Sequence, residues 1–165
     1  MLTATIWIAI GAIAAALITR EIKISEFRQA WINELREDIS AYVCKAHQWI
    51  DLYLLKNQES NQENKSNTVA DLDRLKYDAL HIHSRICLRF KPDDTVANNL
   101  LSNLLNLLDP SKTGLDSNAY SNWRDLSNKV VLEARVLLKE EWEATKNPFL
   151  RLCKKLCKKC LKSHE

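Results

Sequence analysis

Two adjacent segments organise this chain: LTATIWIAIGAIAAALI at residues 2–18 and SEFRQAWINELREDISAYVCKAHQWIDLYL at residues 25–54. The first contains no charged residue, and about 17 apolar residues is the shortest helical stretch that spans a bilayer. The second repeats apolar residues at spacings of three and four, which is typical of an amphipathic helix. They predict an N-terminal transmembrane anchor at residues 1–19, followed by a long helix on which the later residues fold back.

Two alternatives to an anchor are a signal peptide and a buried core helix. A signal peptide begins with a basic region, but no basic residue precedes Arg20. A core helix remains an alternative, because the segment is at the short end of the spanning range. Basic residues follow the segment at Arg20, Lys23 and Arg28, so the positive-inside rule predicts an outside N-terminus and a cytoplasmic body.

The composition favours long helices in a reducing compartment. The chain of 165 residues has only 2 Gly and 3 Pro, whereas β-rich folds need many more turn residues. Its 5 cysteines are an odd number, which favours reduced thiols over a disulfide framework. The net charge is +3, but the basic surplus lies in residues 148–165. The body is therefore not predicted to bind nucleic acid.

Residues 20–147 are predicted to form an antiparallel four-helix bundle. The polar segment NQESNQENKSN, residues 57–67, has no apolar residue and predicts a loop. Pro110–Asn118 predicts a second loop, and Lys91-Pro92 predicts the end of the second helix, because the residue before a proline disfavours helical backbone. The predicted N-terminal caps of the four helices are Ser25, Thr68 in a loose capping box, one of Asp93, Asp94 and Thr95, and Ser117 or Asn118. For the first helix, the alternative is that it runs straight on from the anchor.

The last segment, PFLRLCKKLCKKCLKSHE at residues 148–165, predicts a basic amphipathic helix. Lys154, Lys155, Lys158 and Lys159 flank an apolar face, as in helices that lie on anionic lipid surfaces. A solvated tail and a protein-docking helix are the alternatives. Cysteines beside a membrane are also candidates for acylation, here Cys153, Cys157 and Cys160.

No metal site, cofactor or catalytic set is predicted. Four ligands from Cys153 to His164 extend about 16 Å along one helix, whereas zinc ligands lie about 2.3 Å from the ion. His83 and Cys87 are four residues apart and share a helix face, but such a pair usually reflects packing. The chain is therefore predicted not to be an enzyme.

Two further sets of residues are candidate contact sites. Arg28 and Arg36 flank Trp31 near the anchor, where they bind lipid phosphates or pair with acids of the bundle. Gly11 and Ala15 form a small-xxx-small pattern, which allows close packing of membrane helices. Ordinary lipid-facing residues are the alternative for this second set.

The motif R-x-x-W-I-x-x-L-R-x-D within ISEFRQAWINELREDI, residues 24–39, carries a resemblance. It resembles the segment after the anchor in small bacterial single-pass membrane proteins, some encoded near anti-phage defence genes. The resemblance implies a bacterial origin and a cell inner membrane location. It transfers no catalytic residue.

The function predicted from the sequence is a membrane-tethered, non-enzymatic interaction protein. It would act as an oligomeric regulator or a membrane-acting, defence-type effector, with anionic lipids and a homo-oligomer or another protein as partners. The alternative is a membrane-anchored sensor whose bundle binds a ligand in a pocket lined by Trp49, Tyr53, Trp123 or Trp142.

Overall fold

The computed structural model describes residues 2–59, 62–114 and 118–146, and every regular element in these ranges is a helix. The chain is therefore all-α over this part, as the sequence predicts. Five helices follow one another: α1 (Leu2–Gln58), α2 (Gln62–Cys87), α3 (Thr95–Asn106), α4 (Pro110–Thr113) and α5 (Ala119–Lys146).

The chain divides into two compact units. The first comprises Met1–Asn33 and Lys139–Glu165, and the second comprises Glu34–Leu138. The first unit therefore contains the start of α1 and the end of α5. The second contains the remainder of both helices together with α2, α3 and α4.

Helix α1 is continuous: of the two alternatives predicted, a helix capped at Ser25 is wrong and a helix that runs straight on from the apolar segment is confirmed. Ser25 lies inside α1, and its hydroxyl donates to the main-chain carbonyl of Thr145 at 3.5 Å. No Gly or Pro lies between Ile18 and Ser25, so nothing there interrupts the helical hydrogen bonds. The apolar segment and the amphipathic segment are consequently parts of one helix.

Helix α2 begins earlier than predicted. It starts at Gln62, so the predicted loop at residues 57–67 is too long and Thr68 is an interior residue, not a cap. The error has a physical cause: polarity excludes a segment from a core, but Gln, Glu and Lys are good helix formers. The end of α2 at Cys87, ahead of Pro92, agrees with the prediction.

Side-chain caps define the two following helices. Asp94, one of the three predicted caps, accepts a hydrogen bond from the Ala97 amide at 3.0 Å. Asp109 accepts one from the Ser111 amide at 2.9 Å, and Pro110 occupies the first turn that follows. A one-turn helix, α4, thus replaces the start of the loop predicted at residues 110–118, because proline is well suited to a first helical turn.

Two buried hydrogen bonds hold α3 in the second unit. The Tyr42 hydroxyl donates to the Leu104 carbonyl at 2.8 Å, and the Trp123 indole N–H donates to the Leu107 carbonyl at 3.0 Å. The Leu104 carbonyl also accepts from the Leu107 amide at 3.0 Å, so Tyr42 adds a second donor at the end of α3, where helical carbonyls begin to lose their main-chain partners. Burial raises the pKa of Tyr42 well above its ordinary value, which keeps the hydroxyl protonated as a donor.

Cross-helix contacts give the helix directions in the second unit. Asp38 of α1 pairs with Arg85 of α2, and farther along α1 Lys45 pairs with Asp78 at 2.9 Å. Helices α1 and α2 therefore run antiparallel. The fully buried large side chains come from all four longer helices: Leu35, Tyr42, Ile50, Ile86, Leu100, Leu104, Leu107 and Val130.

Candidate functional site

The first unit exposes a long apolar helix surface. Trp7 and Ile8 are 72% and 73% exposed. Six more large apolar residues between residues 6 and 22 are at least half exposed: Ile6, Ile10, Ile13, Leu17, Ile18 and Ile22. On other proteins, large contiguous exposed apolar surfaces commonly mark sites that bind a membrane or another protein.

No helix within the described residues is both long enough and apolar enough to cross a membrane.

Gly11 and Ala15, the predicted packing residues, lie on this exposed helix. A Cβ atom added to Gly11 would have no neighbour within 4 Å. The main-chain carbonyl of Ala15 accepts a hydrogen bond from the Thr19 hydroxyl at 2.9 Å, which is a local contact within the helix. The small-residue surface is therefore accessible, but its role in packing stays a prediction.

The end of α5 is held against α1 by an ion pair. Arg28 directs Nε and one terminal nitrogen at the same Glu141 oxygen, at 2.9 and 2.5 Å. Both side chains are about one-third exposed, and the Ser25–Thr145 hydrogen bond lies beside them. Of the two roles predicted for Arg28, the structure shows the pairing with an acidic residue of the chain.

The other predicted contact residues have different surroundings. Arg36 is exposed on α1 in the second unit. Lys23, closer to the apolar surface, pairs with Glu26 at 2.7 Å, and both are well exposed. Arg20, which directly follows the apolar segment, is also exposed. It was used to predict the orientation of the helix but was not predicted to contact lipid. The predicted tail sites lie outside the described residues: Cys153, Lys154, Lys155, Cys157, Lys158, Lys159 and Cys160.

Phe27 departs from the prediction for α1. It is the first large apolar residue of the amphipathic segment predicted at residues 25–54, yet it is 74% exposed, whereas Leu35 is fully buried. Phe27 directly precedes Arg28, which contacts Glu141 of α5, but most of its own side chain is open to solvent. It extends the exposed apolar surface of the first unit.

The second unit contains a cluster of paired charges that was not predicted from the sequence. The Asp38 side chain is only 8% exposed and accepts hydrogen bonds from Arg85 and from two nitrogens of Arg89, the latter at 3.1 and 2.8 Å. Arg89 also pairs with Glu34 at 2.9 Å. Burial lowers the pKa of Arg89, but the hydrogen bonds to Glu34 and Asp38 outweigh it, and the pKa lies above its ordinary value. This arrangement joins α1 to the end of α2.

His83 and Cys87 approach each other but do not form an aligned nucleophile–base pair. The sulfur is 3.5 Å from Nδ1 and 3.9 Å from Nε2 of His83. Because these two distances are nearly equal, the sulfur does not lie along the lone-pair direction of either nitrogen. His83 Nε2 lies 3.1 Å from the Leu101 carbonyl, which holds the ring in place. The contact is therefore packing, without the alignment that general-base catalysis needs.

Cys87 is expected to react with iodoacetamide several times more slowly than Cys44 at pH 8. Burial raises the pKa of the Cys87 thiol, so less of the reactive thiolate is present, whereas Cys44 is exposed. Mass spectrometry of the labelled peptides measures both rates in one sample. In urea the two cysteines should react alike. A folded-state rate for Cys87 equal to that of Cys44 would contradict the expectation.

The aromatic residues predicted to line a pocket form separate stacks. Trp49 stacks on Tyr53 with ring centroids 5.2 Å apart, and Trp123 stacks on His47 at 5.0 Å. Stacked rings leave no room for a ligand between them. Trp142, the fourth predicted residue, belongs to the first unit.

Within the described ranges, no three His, Cys, Asp or Glu side chains come close enough together to hold a metal ion. The chain has no match among protein-family models, curated proteins or solved structures. The exposed apolar helix, with its adjacent charges, is therefore the feature on which a functional assignment rests.

Proposed function

We propose that this protein is a membrane-tethered, non-enzymatic interaction protein whose N-terminal apolar helix inserts into the bacterial inner membrane. One observation carries the proposal: the large apolar side chains between residues 6 and 22 are exposed in the first unit. At half exposure, each costs roughly 1 kcal/mol relative to burial. Insertion into lipid removes this cost for all of them together.

The charges next to the apolar helix support the same assignment. Arg20 and Lys23 follow the uncharged segment. Cations at this position contact lipid phosphates, and they orient a membrane helix so that the end that carries them lies in the cytoplasm. The helical body would then lie in the cytoplasm and the N-terminus outside. Arg28 is engaged with Glu141, so Arg20 is the better candidate for a headgroup contact.

The position of the α5 end supports a role for the basic tail. Thr145 contacts Ser25, and seven residues of helix separate Ser25 from Ile18, which is about 10 Å. The polar headgroup layer is roughly 5–8 Å thick on each side of the hydrocarbon core. A chain that continues beyond Thr145 therefore starts close to lipid headgroups if Ile18 marks the hydrocarbon boundary. Lys154, Lys155, Lys158 and Lys159 would bind anionic lipids there, and the neighbouring cysteines would be accessible to acylation.

Alkaline carbonate extraction of bacterial membranes that contain the full-length protein tests the proposal. The native chain should remain in the membrane pellet. Ile10→Lys with Ile13→Lys should release it, because a lysine at the bilayer centre costs about 2.5–3.5 kcal/mol. The matched control, Leu132→Lys with Val136→Lys, changes exposed apolar residues of α5 and should remain in the pellet. Release of the native chain by carbonate would overturn the proposal.

A further inference from the structure

The exposed apolar helix has one face with the spacing of a helix–helix interface. Ile6, Ile10, Ile13 and Leu17 follow one another at intervals of four, three and four residues, and each is between 50% and 63% exposed. These intervals place them at the d, a, d and a positions of a heptad repeat. We call these four residues the N-terminal seam.

The N-terminal seam continues a face of α1 that is already packed. An α-helix returns to the same orientation after five turns, or about 18 residues. Ile6, Ile10 and Ile13 thus point in the same direction as Ile24, Arg28 and Trp31. The latter three are half-buried in the first unit, where Arg28 contacts Glu141 of α5. The same face therefore packs against a helix at residues 24–31 and has no described residue covering it at residues 6–17.

We propose that further copies of this chain cover the N-terminal seam, giving a parallel assembly of three or four chains. The inference rests on the proposed function, because a shared membrane fixes the copies in parallel. Isoleucine at both a and d positions, or leucine at a with isoleucine at d, favours trimers and tetramers over dimers. Left-handed packing of this kind is also the commonest arrangement of membrane helices.

The residues that follow the seam fit such an assembly. Arg20 takes the next seam position after Leu17, and Glu21 adjoins it. At a d position the guanidinium groups of the copies would converge, so the apolar seam ends at Leu17 and the long Arg20 side chain turns to the lipid headgroups.

The N-terminal seam and the small-residue surface are different interfaces. At about 100° per residue, Gly11 and Ala15 lie roughly 130–170° around the helix from the centre of the seam. One α1 helix cannot use both surfaces against the same neighbour. Measurements that compare the two faces therefore identify the one that associates.

Disulfide cross-linking in lipid vesicles tests the inference on the full-length chain. Single cysteines replace each seam residue in turn, in a variant whose five native cysteines are serine. Matched positions off the seam are Ile8, Gly11, Ala15 and Ile18. We expect cross-linking several-fold stronger at the seam than at these controls. Strongest cross-linking at Gly11 and Ala15 would overturn the inference.

A second pair of variants keeps the native cysteines, so it does not depend on the cysteine-free chain folding. In detergent, the native protein should have the mass of three or four chains. Ile10→Ala with Ile13→Ala should raise the concentration at which it dissociates about tenfold or more, since each substitution removes packed side-chain volume from every copy. Ile8→Ala with Ile18→Ala should change it less than about twofold, because these residues lie outside the seam.

The outcomes separate the inference from the proposed function. A monomer or dimer that still resists carbonate extraction overturns the inference and leaves the membrane tether intact. A chain that is released by carbonate overturns the tether. Equal effects of the two alanine pairs overturn the assignment of the seam as the interface.

Discussion

Replacing Lys154, Lys155, Lys158 and Lys159 with glutamine is expected to weaken the binding of a peptide of residues 148–165 to anionic vesicles by up to about a thousandfold. Each lysine near an anionic surface contributes about 1 kcal/mol. Every 1.4 kcal/mol is about a tenfold change in affinity, so four lysines account for nearly three orders of magnitude. Titration of the peptide with vesicles that contain one-third anionic lipid measures the effect.

Two controls separate charge from amphipathic character. On vesicles of neutral lipid alone, the native and the glutamine peptides should bind equally weakly, because the attraction to the surface is absent. A peptide of the same composition, reordered so that leucines and lysines share every face, should lose affinity although its charge is unchanged. Equal binding of the native and glutamine peptides to anionic vesicles would contradict a lipid role for the tail.

Substituting Asp38 is expected to give the largest loss of stability among the ion-paired residues of the second unit. Asp38→Ala should lower the free energy of unfolding by about 2–3 kcal/mol, because it leaves two guanidinium groups without their shared acceptor. This is at or below the usual range for a buried charge, since Arg85 is half exposed and Arg89 is 20% exposed. Urea unfolding of the full chain, followed by far-ultraviolet circular dichroism in a constant detergent, measures the change.

The exposed pair between Lys45 and Asp78 provides the matched control. It also joins α1 to α2, but both side chains are at least one-third exposed. Asp78→Ala should therefore cost less than about 1 kcal/mol. Adding Arg85→Leu and Arg89→Leu to Asp38→Ala should recover part of the lost stability, because no buried cation then lacks a partner. Equal losses for Asp38→Ala and Asp78→Ala would show that burial of the cluster is not what stabilises it.

The position of Asp38 in the sequence indicates that this residue needs a cationic partner. It lies three residues after Leu35 and four before Tyr42, so it occupies the apolar side of α1 although it is charged. An acid at such a position requires a cationic partner. The sequence contains many Lys and Arg residues, however, and nothing local selects Arg85 and Arg89, which are about 50 residues away.

Local interactions account for the features that were predicted correctly. Helix content follows from the scarcity of Gly and Pro and from the three-and-four spacing of apolar residues. The Asp94 cap depends on an amide three residues away, and the end of α2 before Pro92 depends on steric conflict with the preceding backbone. The uncharged segment at residues 2–18 is likewise evident from the sequence alone, whereas its insertion into a membrane is a proposal.

Contacts between distant residues account for the features that were missed. The identity of Glu141 as the partner of Arg28, the role of Ser25 as a donor to Thr145 and the exposure of Phe27 all depend on where α5 lies beside α1. The spacing of apolar residues along a helix indicates which of its faces is apolar. It does not indicate which residue of another helix lies opposite that face. Side-chain spacing in one helix thus determines the class of fold, and the packing of helices far apart in sequence determines which charges are paired and which apolar faces stay uncovered.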